Sequence, residues 1–289
     1  MIYARRASPL HAARPVVGIA WCAALAAAAL VVDHPVVLAG LLVALVGAAL
    51  AAGVGERLAR TARMGLPLAL AIALIEPLLQ HDGLTVIARL GDLGPLGRLD
   101  ITLEAVVYGA VLGLRALVVV AAFGLYAAAV DPDEVLRLFR RRGLRSALTV
   151  TIATRMVGVL EADARRLADG QRCRGTQPPS RMAVVRAVTS GALDRALDVA
   201  AALELRGYGA RRPAARARAA RPWSRHDLAF AASALGIVAL VVLGELGGAS
   251  AFSAFPRLRG AGVAASGALA MALVVVALAP FADRRGIAR

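Results

Sequence analysis

Lysine is absent from this sequence of 289 residues, and all 34 positively charged side chains are arginine. The P-loop of nucleotide-binding proteins needs a lysine that reaches the β- and γ-phosphates, so this chain cannot contain one. A Schiff-base mechanism is excluded for the same reason, because it requires a lysine amine. Any ATP that drives this protein, with its magnesium ion, is therefore expected to bind to another chain.

Cysteine and histidine are also scarce, with two cysteines and four histidines in the chain. Cys22 lies in an apolar run and Cys173 in a charged segment, so no disulfide framework is expected. The histidines show no helical i, i+4 pair, and no Cys-x-x-Cys is present. We therefore expect this chain to have no cofactor of its own and to build no metal site.

Apolar length is what the sequence has in excess. Hydrophobic residues make up 59% of the chain and its mean hydropathy is +0.69, whereas soluble domains are about 45–50% apolar. These residues form runs of roughly 20 residues, the length that crosses about 30 Å of hydrocarbon as a helix. We therefore predict an all-α polytopic membrane protein with about six transmembrane helices, over residues 16–32, 35–54, 64–80, 104–129, 227–246 and 261–281.

Two of these runs need comment. The first is expected to be an uncleaved span rather than a signal peptide, because a second apolar run follows it directly. The third contains Pro67 and Pro77. The stretch Leu84–Leu90 that follows is expected to dip back into the membrane or to lie along its surface.

A charged side chain interrupts the fourth run. Arg115 lies near its middle, where an unpaired charge is costly. We expect a structural ion pair with Glu76 or Glu104, in preference to a proton or ion path through the membrane.

The arginines are distributed unevenly around the predicted spans. Twenty of them lie in residues 131–226, and three each lie in 1–15, 55–65 and the tail after the sixth span. The loops on the opposite side carry four in total. The positive-inside rule therefore places both termini and the long segment in the cytoplasm, and we expect the protein in the inner membrane of a prokaryote.

The long segment divides the chain into three parts: spans one to four in 1–130, a cytoplasmic segment in 131–226, and spans five and six in 227–289. Helices are predicted from Asp131 to Arg142, over 144–173 and over 181–205. In the last helix, apolar residues recur every three or four positions and predict a face that packs on a partner. This face consists of Met182, Val185, Thr189, Ala192, Ala196, Ala200 and Leu203, with Arg195 at one of the other positions.

The two long cytoplasmic helices end in the same dipeptide, arginine followed by glycine. Ordinary capping explains one such ending, because glycine suits the C′ position and a cation complements the helix dipole. A repeated ending on neighbouring helices indicates a pair of cationic tips that could bind partner carboxylates. The tip residues are Cys173, Arg174, Gly175, Leu205, Arg206 and Gly207.

The paired endings resemble the Ala-Arg-Gly signatures of the transmembrane T component of energy-coupling factor transporters, a family that includes membrane subunits of cobalt and biotin uptake systems. Here Cys173 and Leu205 stand where the family usually has alanine. The resemblance covers roughly residues 65–210. It is also carried by the stretches Ile101–Arg115, Asp131–Arg141, Arg145–Arg155 and Asp163–Gly175.

The resemblance implies a non-catalytic scaffold in an ATP-driven importer. The two cytoplasmic helices would be coupling helices, and Arg174 and Arg206 would dock in grooves of two ATP-binding-cassette ATPases. Gly175 and Gly207 would end each helix. A separate small membrane protein, the S component, would hold the vitamin or transition-metal ion and would topple in the bilayer to release it inside.

Other functions would leave different patterns. A solute permease with its own binding site would show internal repeats and broken helices at matching positions. An intramembrane enzyme would need converging polar residues, such as paired aspartates, His-Glu-x-x-His or Gly-x-Ser-x-Gly, which the sequence lacks. No nucleic-acid partner is expected, because topology accounts for the arginines and the basic segment has few aromatics for base stacking.

Overall fold

The structure is a computed structural model, and it describes residues 6–79, 85–92, 98–132, 134–135, 146–173, 180–205, 223–254 and 259–283. The chain forms two compact units, which are described separately. The membrane unit comprises Met1–Val135 and Trp223–Arg289, and the helix-pair unit comprises Leu136–Pro222.

Both units are built mainly from helices. The elements of the membrane unit are α1 (Pro9–Ala12), α2 (Pro15–Val31), α3 (Pro35–Ala51), α4 (Gly55–Leu79), β1 (Val86–Asp92), β2 (Arg98–Thr102), α5 (Leu103–Ala129), α8 (Arg225–Leu246), β3 (Phe252–Ser253), β4 (Arg259–Gly260) and α9 (Val263–Leu278), with a 3₁₀ turn over Ala279–Phe281. Those of the helix-pair unit are α6 (Ser146–Cys173) and α7 (Arg181–Leu205).

The apolar runs are the helices of the membrane unit. By length and composition, α4, α5, α8 and α9 with its 3₁₀ turn can cross a membrane. The apolar helices α2 and α3 have 17 residues each, which is about 25 Å of helix. All six predicted runs are thus helical, and the prediction of an all-α polytopic membrane protein is confirmed.

Local sequence signals set where these helices begin. Both α2 and α3 have proline in the first helical turn, where its missing N–H leaves no hydrogen bond unmade. In the capping box of α8, Ser224 Oγ accepts from the Asp227 N–H while the Asp227 carboxylate accepts from the Ser224 N–H. The same carboxylate accepts from the Arg14 N–H at 2.6 Å, so this cap fastens α8 to the start of α2.

An aromatic cluster holds α2, α8 and the end of α9 together. The rings of Trp21, Phe230 and Phe281 meet edge to face, with centroids 5.2 to 5.9 Å apart. Trp21 Nε1 donates to Ser233 Oγ at 3.0 Å, and Ser233 Oγ donates to the Val276 carbonyl at 2.7 Å. Hydrogen bonds between helices therefore add to the packing at the centre of the unit.

α4 begins at Gly55, whereas the sequence predicted a span from residue 64. Its first turns carry the arginines that we had placed in a loop. Charge marks where the hydrocarbon begins, but arginine is a good helix former and does not end a helix. Pro67 and Pro77 both lie inside α4, and packing on α5 holds the helix together across them.

Two glycines let the backbones of α4 and α5 touch. A Cβ built on Gly113 would lie 2.6 Å from the carbonyl oxygen of Ala69, and one on Gly109 would lie 2.8 Å from that of Ala73. Contacts this short leave no room for a side chain, as in other small-xxx-small pairs of membrane helices. We did not single out this Gly-x-x-x-Gly pattern in the sequence, although it is visible there.

The described part of the stretch expected to dip into the membrane, or lie along it, is a strand. β1 pairs antiparallel with β2, with Val86 opposite Thr102, so part of its backbone is hydrogen-bonded within a two-stranded sheet. The hairpin is fastened to α5, because Thr85 donates through its N–H and its Oγ1 to the Glu104 carboxylate at 3.2 and 2.8 Å. Leu84 lies outside the described residues.

Candidate functional site

The candidate coupling helices are α6 and α7, with 28 and 25 residues. They match the helices predicted over 144–173 and 181–205, whereas most of the helix predicted from Asp131 to Arg142 lies outside the described residues. Only residues 174–180 connect them. A segment of this length spans at most about 25 Å, whereas each helix is about 40 Å long, so the connection cannot run back along a helix. Because the two helices also pack on each other, they must run antiparallel.

Half-buried positions on each helix recur every three or four residues and form one seam between them. On α6 these positions are Ile152, Met156, Leu160, Asp163, Ala164, Ala168 and Gln171. On α7 they are Val184, Val188, Ala192, Arg195, Val199 and Leu203. The seam is therefore mostly aliphatic, with one acid and one base within it.

That acid and base form an ion pair across the seam. Arg195 Nη2 lies 2.9 Å from Asp163 Oδ2, and the two side chains are 39% and 26% exposed. Sequence analysis had placed Arg195 away from the packing face. The structure puts it in the seam, where the ion pair compensates its charge.

α7 has a second apolar stripe that α6 does not cover. Met182, Val185, Leu193 and Leu197 are each more than half exposed. Met182 and Val185 of the predicted packing face belong to this stripe, whereas Ala192 and Leu203 lie in the seam. The sequence detected a real apolar face, but α6 packs on the neighbouring one.

The tips of the pair are only partly described. Cys173 is the last residue of α6 and is exposed, and Leu205, the last of α7, is 90% exposed. Arg174, Gly175, Arg206 and Gly207 lie outside the described residues, so their predicted docking role stays a prediction.

The charged residues of the membrane unit pair differently from our expectation. Arg115 donates to the Asp33 carboxylate and, at 3.1 Å, to the Val32 carbonyl, in place of the predicted Glu76 or Glu104. Glu104 is eleven residues away on the same helix, about 16 Å along its axis. Glu76 lies beside Gly109, six residues from Arg115. The observed ion pair therefore links α5 to the turn between α2 and α3.

A buried histidine caps α3 beside this ion pair. His34 is 5% exposed, its Nδ1 accepts from the Val36 N–H at 3.3 Å, and its ring meets Phe252 edge to face. Burial lowers the pKa of His34 below its ordinary value, and a hydrogen bond with the Ala261 backbone opposes this shift in part. The folded protein therefore favours the neutral ring that the cap requires.

Acidification is expected to destabilise the protein through His34. Its pKa is near 6.5 when unfolded and lower when folded, so stability falls as the pH drops below the unfolded value and levels off below the folded one. Asparagine caps helices without titrating in this range. Melting temperatures of detergent-solubilised protein between about pH 8 and pH 5 should therefore fall less steeply for His34→Asn. Equal slopes would contradict the prediction.

Comparison with known proteins identifies the family. The model of the CbiQ family, described as a cobalt transport protein, matches residues 6–215, which is more than half of the chain. No curated protein matches. The matched range includes α1 to α7 and therefore both long helices of the candidate site. The chain is a multi-pass membrane component of a transporter that works with other subunits, and it belongs to the CbiQ family, the T components of energy-coupling factor transporters.

Proposed function

We propose that this chain is the coupling subunit of an energy-coupling factor importer. It transmits the movement of two ATP-binding-cassette ATPases to a separate S component in the membrane, which binds a vitamin or a transition-metal ion. The observation that carries this proposal is the antiparallel pair of α6 and α7, which forms a unit of its own and ends in exposed tips.

In this proposal the chain hydrolyses no ATP itself. The absence of lysine excludes a P-loop, so ATP and magnesium bind to the partner ATPases. Membership of a family whose members work with other subunits supports this division of labour.

The docking residues that we propose are Arg174 and Arg206, which follow directly after α6 and α7. Cys173 and Leu205 precede them as the last residues of α6 and α7, and Gly175 and Gly207 follow them in the sequence. A guanidinium at an exposed helix end can pair bidentately with a carboxylate of a partner. Two such ends on one rigid pair would engage two ATPases.

The uncovered stripe of α7 supports a second contact. Met182, Val185, Leu193 and Leu197 present an apolar surface along much of the helix, and contiguous apolar surfaces of this kind mark interaction sites. We assign this stripe to the S component. The arginine distribution supports an arrangement with both termini and the helix pair in the cytoplasm of a prokaryote.

Co-purification from native membranes tests the proposal. Tagged protein solubilised in mild detergent should carry two ATPase subunits or domains and one small membrane protein, identified by mass spectrometry. The complex should hydrolyse ATP, whereas the isolated chain should not. Recovery of the chain alone under conditions that preserve other transporter complexes would contradict the proposal.

A transport assay distinguishes the permease alternative. Proteoliposomes containing only this chain should take up neither cobalt ion nor biotin, whereas proteoliposomes of the whole complex should take up its substrate when ATP is supplied to the ATPases. Uptake by the chain alone would favour a permease with its own binding site.

A further inference from the structure

A basic pocket lies between the first turns of α4 and the last turns of α5. Its volume is about 390 Å³. Four residues of α4 and three of α5 line it: Arg57, Arg60, Thr61, Met64, Gly124, Ala127 and Ala128. Arg60 and Thr61 lie three and four residues after Arg57 and four and three residues before Met64, so the four residues of α4 share one face of that helix.

Small residues create the pocket. A Cβ on Gly124 would lie 2.8 Å from Thr61 Cγ2, so the two helices touch at this level. Beside that contact Ala127 and Ala128, which have short side chains, line the pocket together with the longer side chains of α4. The α4 side of the pocket therefore carries two arginines with Thr61 and Met64, and the α5 side carries only glycine and alanine.

The charge in the pocket is not neutralised by the residues that the structure describes. Arg57 Nη1 is buried and has no hydrogen-bond partner among them, and none of the described lining residues is acidic. A guanidinium stays protonated in proteins, and a buried charged donor without a partner is costly. Thr61 Oγ1 donates its hydrogen to the Arg57 carbonyl at 3.1 Å, so this hydroxyl can act toward other groups only as a hydrogen-bond acceptor. The ligand that fits such a pocket is an anion that accepts hydrogen bonds from arginine.

The position of the pocket favours an anion that is attached to an apolar group. Both α4 and α5 are long and apolar enough to cross a membrane, and the pocket lies where α4 begins and α5 ends. Arg57, Arg60 and Arg63 mark the polar end of α4, since arginine is costly within hydrocarbon. At this depth the pocket can hold a headgroup while the chains of the same molecule follow the helices into the bilayer.

We propose that this pocket binds the phosphate of an anionic phospholipid headgroup. Basic pockets between membrane helices at the cytoplasmic surface suit such headgroups, and arginine pairs with phosphate oxygens in bidentate geometry. The proposal rests on the membrane-spanning helices alone, so it holds whether or not the chain couples ATPases to an S component. Free inorganic phosphate shares the same chemistry, and the test separates the two sources.

Native mass spectrometry of the detergent-purified full chain tests this proposal, with phosphatidylglycerol as the probe and phosphatidylcholine as the neutral comparison. Wild-type protein should retain one phosphatidylglycerol in preference to phosphatidylcholine. Arg57→Gln should weaken this binding about fivefold, and Arg57→Gln with Arg60→Gln more strongly, since each arginine near an anionic lipid contributes about a factor of five. The matched control is Arg63→Gln, which removes the same charge from an exposed residue of the same helix outside the pocket.

Three results would overturn the proposal. One is equal binding of both lipids, and another is an equal loss in Arg63→Gln and Arg57→Gln, which would indicate surface charge in general. The third is displacement of the lipid by inorganic phosphate at about 10 mM, a competitor that a membrane-anchored headgroup should resist. Melting temperature and gel-filtration profile confirm that each variant is folded, so lost binding reports on the pocket.

Discussion

Replacing Gly113 with alanine is expected to separate α4 from α5 and to destabilise the membrane unit. The new methyl carbon would lie 2.6 Å from the Ala69 carbonyl oxygen and 3.1 Å from Ala73 Cβ. Both atoms belong to the backbone or to its first side-chain carbon, so the clash is relieved only if the helix itself moves. Such overpacking costs about 1–3 kcal/mol, and adding Gly109→Ala should roughly double the loss.

The matched control is Gly267→Ala in α9. No atom of the residues that the structure describes lies within 4 Å of a Cβ built on Gly267, so alanine should leave stability unchanged or raise it by up to about 1 kcal/mol through helix propensity. Melting temperatures of the detergent-solubilised variants make the comparison. If the Gly113→Ala and Gly267→Ala variants have the same melting temperature, the close approach of α4 and α5 does not exist in solution.

The second large effect concerns the tips of the helix pair. Arg174→Glu together with Arg206→Glu is expected to abolish both ATPase association and substrate uptake. Each substitution would replace a proposed ion pair with a like-charge contact, and disrupting a close interfacial pair costs about 2–5 kcal/mol. Affinity for the ATPases should therefore fall by about a thousandfold or more. Co-purification and uptake by whole cells measure the two effects.

A charge-matched control keeps this experiment specific. Arg166→Glu with Arg186→Glu makes the same change on exposed positions within α6 and α7, away from their ends, and should retain ATPase binding. Both double variants should reach the membrane in wild-type amounts, because neither changes an apolar helix. Uptake by the tip variant at the wild-type rate would remove the role assigned to Arg174 and Arg206.

Hydropathy, together with the prolines that separate helices, predicted most of this fold correctly. The length of each apolar run was sufficient to locate six helices. Pro178 and Pro179 separate the helical patterns of α6 and α7, whose bounds agree with the prediction to within a few residues. The predicted start of α4 was too late because we took the charged residues to lie outside the helix. Charged residues limit the part of a helix that can lie in hydrocarbon, but the helix itself can extend beyond that part.

It was harder to predict which residues contact each other than to predict where the helices lie in the sequence. Arg115 pairs with Asp33, 82 residues away in sequence, and only the packing of α5 beside the turn before α3 brings them together. α7 has two apolar stripes on adjacent faces, and its sequence does not say which one meets α6. The Arg-Gly tips were recognised from their repetition, whereas the basic pocket of α4 and α5 depends on which side chains face Gly124.

The ion pair between Arg195 and Asp163 limits how the helix pair can deform. Shear of α6 against α7 by one helical turn would separate the two charges by about 5.4 Å and expose both to aliphatic neighbours. Tilting the pair as a whole leaves the ion pair intact. Because α6 has 28 residues and is about 42 Å long, a rotation of about 10° at one end displaces the other by about 7 Å. The pair is thus stiff against sliding, and it converts a small rotation at one end into a displacement larger than one helical turn at the other.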